Sequence, residues 1–143
     1  MHIEVIDPES GVNVSMLETA IKRVFSGENE TVDYINVIFL PRDDLRQLKN
    51  EYFGLDVYTD VIAFNLNDPE ESLEGEIYLS LAQIKQNAET FKARWSDELM
   101  RVIIHGCLHL CGYEDDTTPQ KEQMTSLEDI YIKQTYDLES EWK

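Results

Sequence analysis

Positive charge is scarce in this chain: 12 lysines and arginines stand against 29 aspartates and glutamates, a formal charge of −17. Such a surface repels polyanions at long range, which argues against nucleic-acid capture by a broad basic face. Any work on RNA has to rest on a local basic groove, or on a partner that presents the RNA. Cysteine is scarce too. The two present, Cys107 and Cys111, lie four apart where the chain reads as helix, and a disulfide along one helix is geometrically poor. Both read as small buried hydrophobes. No apolar run is long enough to span a bilayer, and the N-terminus lacks a signal-peptide pattern. The expectation is a cytoplasmic protein without a membrane partner. Repeats, low-complexity tracts and linkers are missing as well. A chain of 143 residues at 42% apolar composition suits one domain, 1–143, with a core of its own.

Histidine is rare, and its distribution is uneven. Of three in the sequence, His2 reads as an exposed strand residue. The other two fall in His105-Gly106-Cys107-Leu108-His109-Leu110-Cys111-Gly112-Tyr113-Glu114-Asp115. Ser96 is the expected N-cap of the helix that carries them, and Asp97 and Glu98 suit its positive dipole end. Residues four apart share one helical face, with Cβ atoms roughly 5–6 Å apart, so two imidazoles can grip one metal ion. Gly112 ends the helix in a left-handed turn. Asp115 then comes back as a third ligand. Two helical histidines, a glycine turn and an oxygen ligand make a facial site with open positions. The spacing matches the H-E-x-x-H-x-x-G-x-x-H metallopeptidases, except that Gly106 stands where those enzymes keep a glutamate base.

The rest of the chain reads as α+β. Strands are expected at His2 to Ile6, Tyr34 to Leu40, Thr59 to Asn65 and Glu76 to Leu79. A helix over Val14 to Phe25 stops at Gly27. A second runs from Pro41 through Leu45 and Leu48 to Tyr52, before Gly54. Glu28 to Glu30 and the stretch from Asn67 to Glu74 read as acidic loops. Ser80 with Gln83 forms a capping box opening a helix through Ile84, Ala88 and Phe91. Thr118 caps a last helix with Pro119 in its first turn, and Met124, Leu127, Tyr131 and Leu138 share one face of it. The expected fold is a small four-stranded mixed sheet packed with helices, one of them a metalloprotease-like metal-binding helix.

Together these motifs make the chain resemble the YbeY family of metal-dependent endoribonucleases, which act in ribosomal RNA maturation and ribosome quality control. H-G-x-L-H-L-x-G-Y is intact from His105 to Tyr113. Thr59 to Phe64 resembles the family's T-D-V-L-S-F, Gly75-Glu76-Ile77 its G-D-I, Met124 with Glu128 its M-x-x-x-E, and Leu48 to Tyr52 its L-N-x-x-Y. The resemblance implies a single-strand-specific endoribonuclease acting at the 3′ end of the small-subunit ribosomal RNA. Its partners would be that RNA and small-subunit components. It implies one zinc ion per chain, held by His105, His109 and Asp115, and no organic cofactor. Two positions depart from the family. Its D-H after Gly-Tyr is Glu114-Asp115 here, and its arginine after the tyrosine of L-N-x-x-Y is Phe53. The catalytic expectation is Glu114 as proton acceptor and Arg101 as a compensating cation. Arg46 and Lys49 are the expected substrate-binding residues. Two rival readings stand: a metallopeptidase-like hydrolase, against which Gly106 argues, and a non-catalytic zinc-containing ribosome-associated factor.

Overall fold

In a computed structural model, residues 1–141 are described; residues 142 and 143 of the expected domain 1–143 lie outside the described residues. The elements in chain order are β1 (His2–Ile6), α1 (Val14–Gly27), β2 (Val32–Phe39), α2 (Arg42–Phe53), β3 (Val61–Asn65), β4 (Leu73–Leu79), α3 (Leu81–Phe91), α4 (Trp95–Leu110) and α5 (Thr118–Glu141). The four strands form one sheet in the order β1-β2-β4-β3. β1, β2 and β4 run parallel, and β3 pairs antiparallel to β4 as an edge strand, with Val61 opposite Leu79 and Asn65 opposite Gly75. This is the mixed four-stranded α+β fold expected. Among the described residues no helix is long and apolar enough to cross a membrane.

α4 is the centre of the packing. Leu99, Met100, Val102, Ile103, Ile104, Cys107, Leu108 and Leu110 are all buried, and a helix apolar around most of its circumference needs neighbours on most sides. It touches α1, α3, α5, β3 and β4. Truncating a side chain such as Ile103, fully buried here, costs about 2–5 kcal/mol in cores of this kind. Cys107 is part of that core, while Cys111 is half-buried, and both are free thiols. Two glycines allow close approach. A Cβ on Gly106 would sit 3.2 Å from Ile77 Cγ2 and 3.3 Å from Val61 Cγ2, and one on Gly75 would be 2.7 Å from Leu110 Cδ1. The α4–sheet contact therefore depends on small residues from both partners.

Several expected boundaries shift. α4 begins at Trp95, with Arg94 as its N-cap, so Ser96 lies inside the first turn. Asp97 still answers the dipole, and its carboxylate also accepts from Tyr136 Oη at 2.5 Å. β4 begins at Leu73, inside the expected acidic loop, because Leu73 pairs with Val32 and is buried. Thr117, not Thr118, caps α5: its Oγ1 accepts from Gln120 N, and Gln120 Oε1 accepts from Thr117 N. That is a capping box one residue earlier than the Thr-Pro pair pointed to. At Ser80 half of the box forms. Its hydroxyl accepts from Gln83 N, but the Gln83 side chain turns to Arg42 and Asn87. Gly27 is the last residue of α1, and its lack of a side chain leaves room for the Tyr131 ring, which a Cβ would meet at 2.5–2.9 Å. The left-handed turn after α1 falls instead on Asn29, φ 57°.

Candidate metal centre

The last two turns of α4 bring His105 and His109 together, with Nε2 atoms 2.9 Å apart and ring planes at 82°. The opposite nitrogen of each ring is taken. His109 Nδ1 donates to the main-chain carbonyl of Tyr113 at 2.9 Å, and His105 Nδ1 donates to Glu128 Oε2 at 2.6 Å. A carbonyl oxygen can only accept, so the proton of a neutral His109 sits on Nδ1 and its Nε2 lone pair is free. An ionised Glu128 imposes the same tautomer on His105. Two lone pairs then face each other at a distance that is repulsive unless a proton or cation lies between them. Asp115 Oδ2 completes the group, 3.3 Å from His105 Nε2 and 3.6 Å from His109 Nε2.

This donor set fits a small divalent cation. Tetrahedral bonds of about 2.0–2.1 Å require ligand atoms roughly 3.3 Å apart, close to the separations seen. Three side chains that could hold an ion converge, all with ligand atoms within 4.8 Å of one another. The contacts at Nδ1 are the outer-shell partners that metal-binding imidazoles use to fix their orientation. In the metal-free state the same surroundings raise the His105 pKa. Burial, the largest influence, lowers it, but the hydrogen bond and charge of Glu128, with Asp115 and Asp60, outweigh that.

The loop that returns Asp115 is tied down from outside. Gly112 turns the chain at φ 101°. Tyr113 Oη donates to Glu28 Oε1 at 2.6 Å, and Tyr131 Oη donates to the other oxygen of the same carboxylate. The hydrogen bond to Glu28 pushes the Tyr113 phenol up to about 12. Glu28, read from sequence as part of an acidic loop, thus joins the end of α1 to α5 and to the residue whose carbonyl orients His109.

A cleft of about 580 Å³ opens over this group along the edge strand β3. Glu114, Lys49, Phe53, Asp60 and Asp116 line it together with the two histidines and Asp115. Of the other expected site residues, Arg46 and Arg101 are not in its lining. Arg46 Nε pairs with Asp56 at 2.7 Å, with its guanidinium over the Tyr58 ring. Arg101 commits both terminal nitrogens, to Glu128 at 2.9 Å and Asp129 at 2.6 Å. A guanidinium so engaged stands behind His105 and does not face the cleft. Two residues of the site had no role assigned from sequence. Glu128 is 5% exposed and bridges Arg101 to His105; its signal was the M-x-x-x-E pattern. Asp60 borders the cleft with a pKa raised by burial, against the pull of His105 and its hydrogen bonds. Its signal was the T-D-V pattern.

A sheet-backed helix with two histidines, a carboxylate on the return loop and an open cleft above them define the mononuclear metallohydrolase type of site. Comparison with known proteins narrows this. The family model "Endoribonuclease YbeY" matches residues 3–136. A protein named Endoribonuclease YbeY from Karelsulcia muelleri is 42% identical over 109 residues, covering 76% of this chain and 77% of that protein. One of the same name from Christiangramia forsetii is 37% identical over 112 residues, 78% of each. The solution structure of TM1509 from Thermotoga maritima superposes with a TM-score of 0.65 at 28% identity, covering 98% of this chain and 91% of that one. The chain belongs to the endoribonuclease YbeY family.

Proposed function

We propose that this protein is a zinc-dependent endoribonuclease, a single-domain enzyme that cuts single-stranded RNA in ribosomal RNA processing. Its expected setting is the cytoplasm, its targets the 3′ end of small-subunit ribosomal RNA and RNA exposed in ribosome quality control. The observation that carries this reading is the pair of Nε2 lone pairs converging at 2.9 Å beside Asp115 on the floor of an open cleft. His105, His109 and Asp115 would hold the zinc. Bound there, zinc supplies Lewis acidity toward the scissile phosphate.

The chain's own groups account for the rest. Glu128 and the Tyr113 carbonyl keep both imidazoles in the Nδ1–H form. RNA brings its own nucleophile: the 2′-hydroxyl attacks phosphorus while the P–O5′ bond breaks, leaving a 2′,3′-cyclic phosphate. The hydroxyl proton passes to a carboxylate, and the departing oxygen takes one from water. Glu114 in the cleft lining is the proposed acceptor, with Asp60 as its alternative because its raised pKa suits a proton carrier. Lys49 is the cation we assign to a backbone phosphate. Arg101 acts through Glu128 on His105, and Arg46 supports the α2–β3 connection through Asp56.

Purified protein tests this directly. Labelled single-stranded RNA should be cut, and chelator should stop the cutting until zinc is returned. An RNA with one 2′-deoxy residue should resist at that step. Glu114→Gln should slow the rate by roughly 10²-fold, the lower end for general acid–base catalysis. Stoichiometric zinc with no cleavage of any RNA would favour the non-catalytic ribosome-associated factor, which the acidic cleft lining keeps in contention. Casein cleavage would favour the metallopeptidase reading, which Gly106, packed against Ile77 and Val61, opposes.

A further inference from the structure

Exposed large apolar side chains are concentrated beside the cleft. Tyr52 is 62% exposed, and Phe53, Leu55, Val57 and Tyr58 are exposed with it. All lie at the end of α2 and in the loop that follows it. Phe53 and Leu55 line the cleft itself. The Phe53 ring lies nearly parallel to Phe64, at 15° with centroids 6.0 Å apart, and Tyr52 meets Phe64 edge-on at 5.3 Å. Tyr78 supports Phe64 from the neighbouring strand, with centroids 5.9 Å apart. The Lys49 ammonium stands 4.7 Å from the Phe53 ring centroid. An aromatic surface braced by Phe64 and half exposed to solvent departs from the ordinary rule that such rings are buried.

The charge of the cleft says what kind of contact it can use. Among the described residues Lys49 is the one lysine or arginine in the lining, against Asp60, Glu114, Asp115 and Asp116. Phosphate attraction can supply little of the affinity here. Flat aromatic faces can supply it in another way, because every nucleobase has a π-face that stacks whatever the sequence. We propose that Phe53, braced by Phe64, is a base-stacking platform for one unpaired nucleotide of RNA at the mouth of the cleft, with Lys49 swinging off the ring to the adjoining phosphate. The inference rests on the reading of this cleft as an RNA site and names how its substrate is held. Duplex RNA is excluded because its bases are already stacked. An apolar peptide is the rival occupant. The ammonium lying over the ring within the cleft favours the nucleotide, which needs both contacts.

The test separates holding from cutting. A six-nucleotide RNA with 2′-O-methyl residues throughout cannot be cleaved through a 2′-hydroxyl. One base is replaced in turn by 2-aminopurine, whose fluorescence drops on stacking. Full-length zinc-loaded protein should quench the probe at one position and bind the oligomer with little dependence on salt. Phe53→Ala should abolish the quenching and weaken binding about 10-fold. Phe53→Trp should keep both. Phe53→Leu retains apolar volume without the ring, guards against a folding artefact, and should behave like Phe53→Ala. An oligomer abasic at the quenched position should bind wild type and Phe53→Ala equally. Unaltered affinity in Phe53→Ala, quenching that survives it, or full binding by Phe53→Leu overturns the platform. So does tighter binding of an apolar hexapeptide than of the oligomer. Cleavage of natural RNA is scored separately. A platform that binds in a protein that never cuts overturns the proposed activity alone, and an active enzyme indifferent to Phe53 overturns the platform alone.

Discussion

On the α4 wall of the cleft, each imidazole is held from behind, His105 by Glu128 and His109 by the Tyr113 carbonyl. On the wall that α2 and its following loop supply, from Lys49 through Phe53 and Leu55, the Phe53 ring stands half in solvent with no hydrogen bond to fix it. The first wall is preorganised, since Arg101 holds Glu128 and Glu28 holds Tyr113. Its rings have one orientation before any ion arrives. The second wall can adapt. Chemistry that needs ligand atoms within a few tenths of an ångström is built on the central helix, and recognition that must accept any base is built on a loop.

The sharpest way to break this division is at the first wall. His109→Ala removes one of three converging ligands and should take bound zinc from about one per chain to none, read by elemental analysis after dialysis against weak chelator. Equal zinc in wild type and variant would end the assignment of this group as the metal centre. A smaller effect is expected one layer out. Glu128→Ala leaves all three ligands in place but frees the His105 ring, and loss of such a partner weakens metal binding by about 10- to 100-fold. Competitive chelator titration measures it. In the same assay Phe53→Ala should leave zinc affinity unchanged. If it moved zinc affinity as far as Glu128→Ala does, the two walls would be one coupled unit and the division would fail.

How much of this was legible in the sequence follows the range of each interaction. The His105–His109 pair was, because four residues of helix fix their proximity without help from the rest of the fold. Asp115 was, because a glycine turn of known hand brings it back. The strands and helices were, apart from boundaries set by pairing or by competing caps, as at Leu73, Arg94 and Thr117. Arg101 and Arg46 stand outside the cleft lining for a common reason. Which face of a helix an arginine presents is a local fact, but which carboxylate captures it depends on α5 for one and on the loop at Asp56 for the other. Glu128 and Glu28 were legible as residues but not as partners. Glu128 lies 23 residues from His105, and Glu28 lies 85 from Tyr113. Those contacts exist only because α5 and the end of α1 pack against the central helix.

Asp60 lines the cleft along with both walls and gives the finest test of the difference between them. It lies just ahead of β3, half-buried, with Oδ2 accepting from Asn87 at 3.3 Å. Burial raises its pKa above the usual 3.8, although the charge of His105 and the hydrogen bonds pull the other way. A carboxyl whose pKa is higher folded than unfolded costs stability when ionised. The cost is full above the folded pKa and fades as pH falls through it toward the unfolded value. Asp60→Asn keeps the shape and an oxygen for Asn87 but cannot ionise. The metal-free variant should therefore melt above wild type at pH 7, by about 2 °C or more, since about 1 kcal/mol moves a chain of this size by a few degrees. The gap should narrow as pH falls through the folded-state pKa of Asp60 toward its unfolded value. The metal-free form is the one to melt, because a bound cation would offset the buried charge. A gap of constant size would mean that ionisation is not its source. A variant less stable than wild type would mean that Asp60 is as well solvated as the residues of the open wall. A gap that closes on acidification would mark Asp60 as a strained carboxylate retained at a cost in stability, as expected of a residue kept for the chemistry of the cleft.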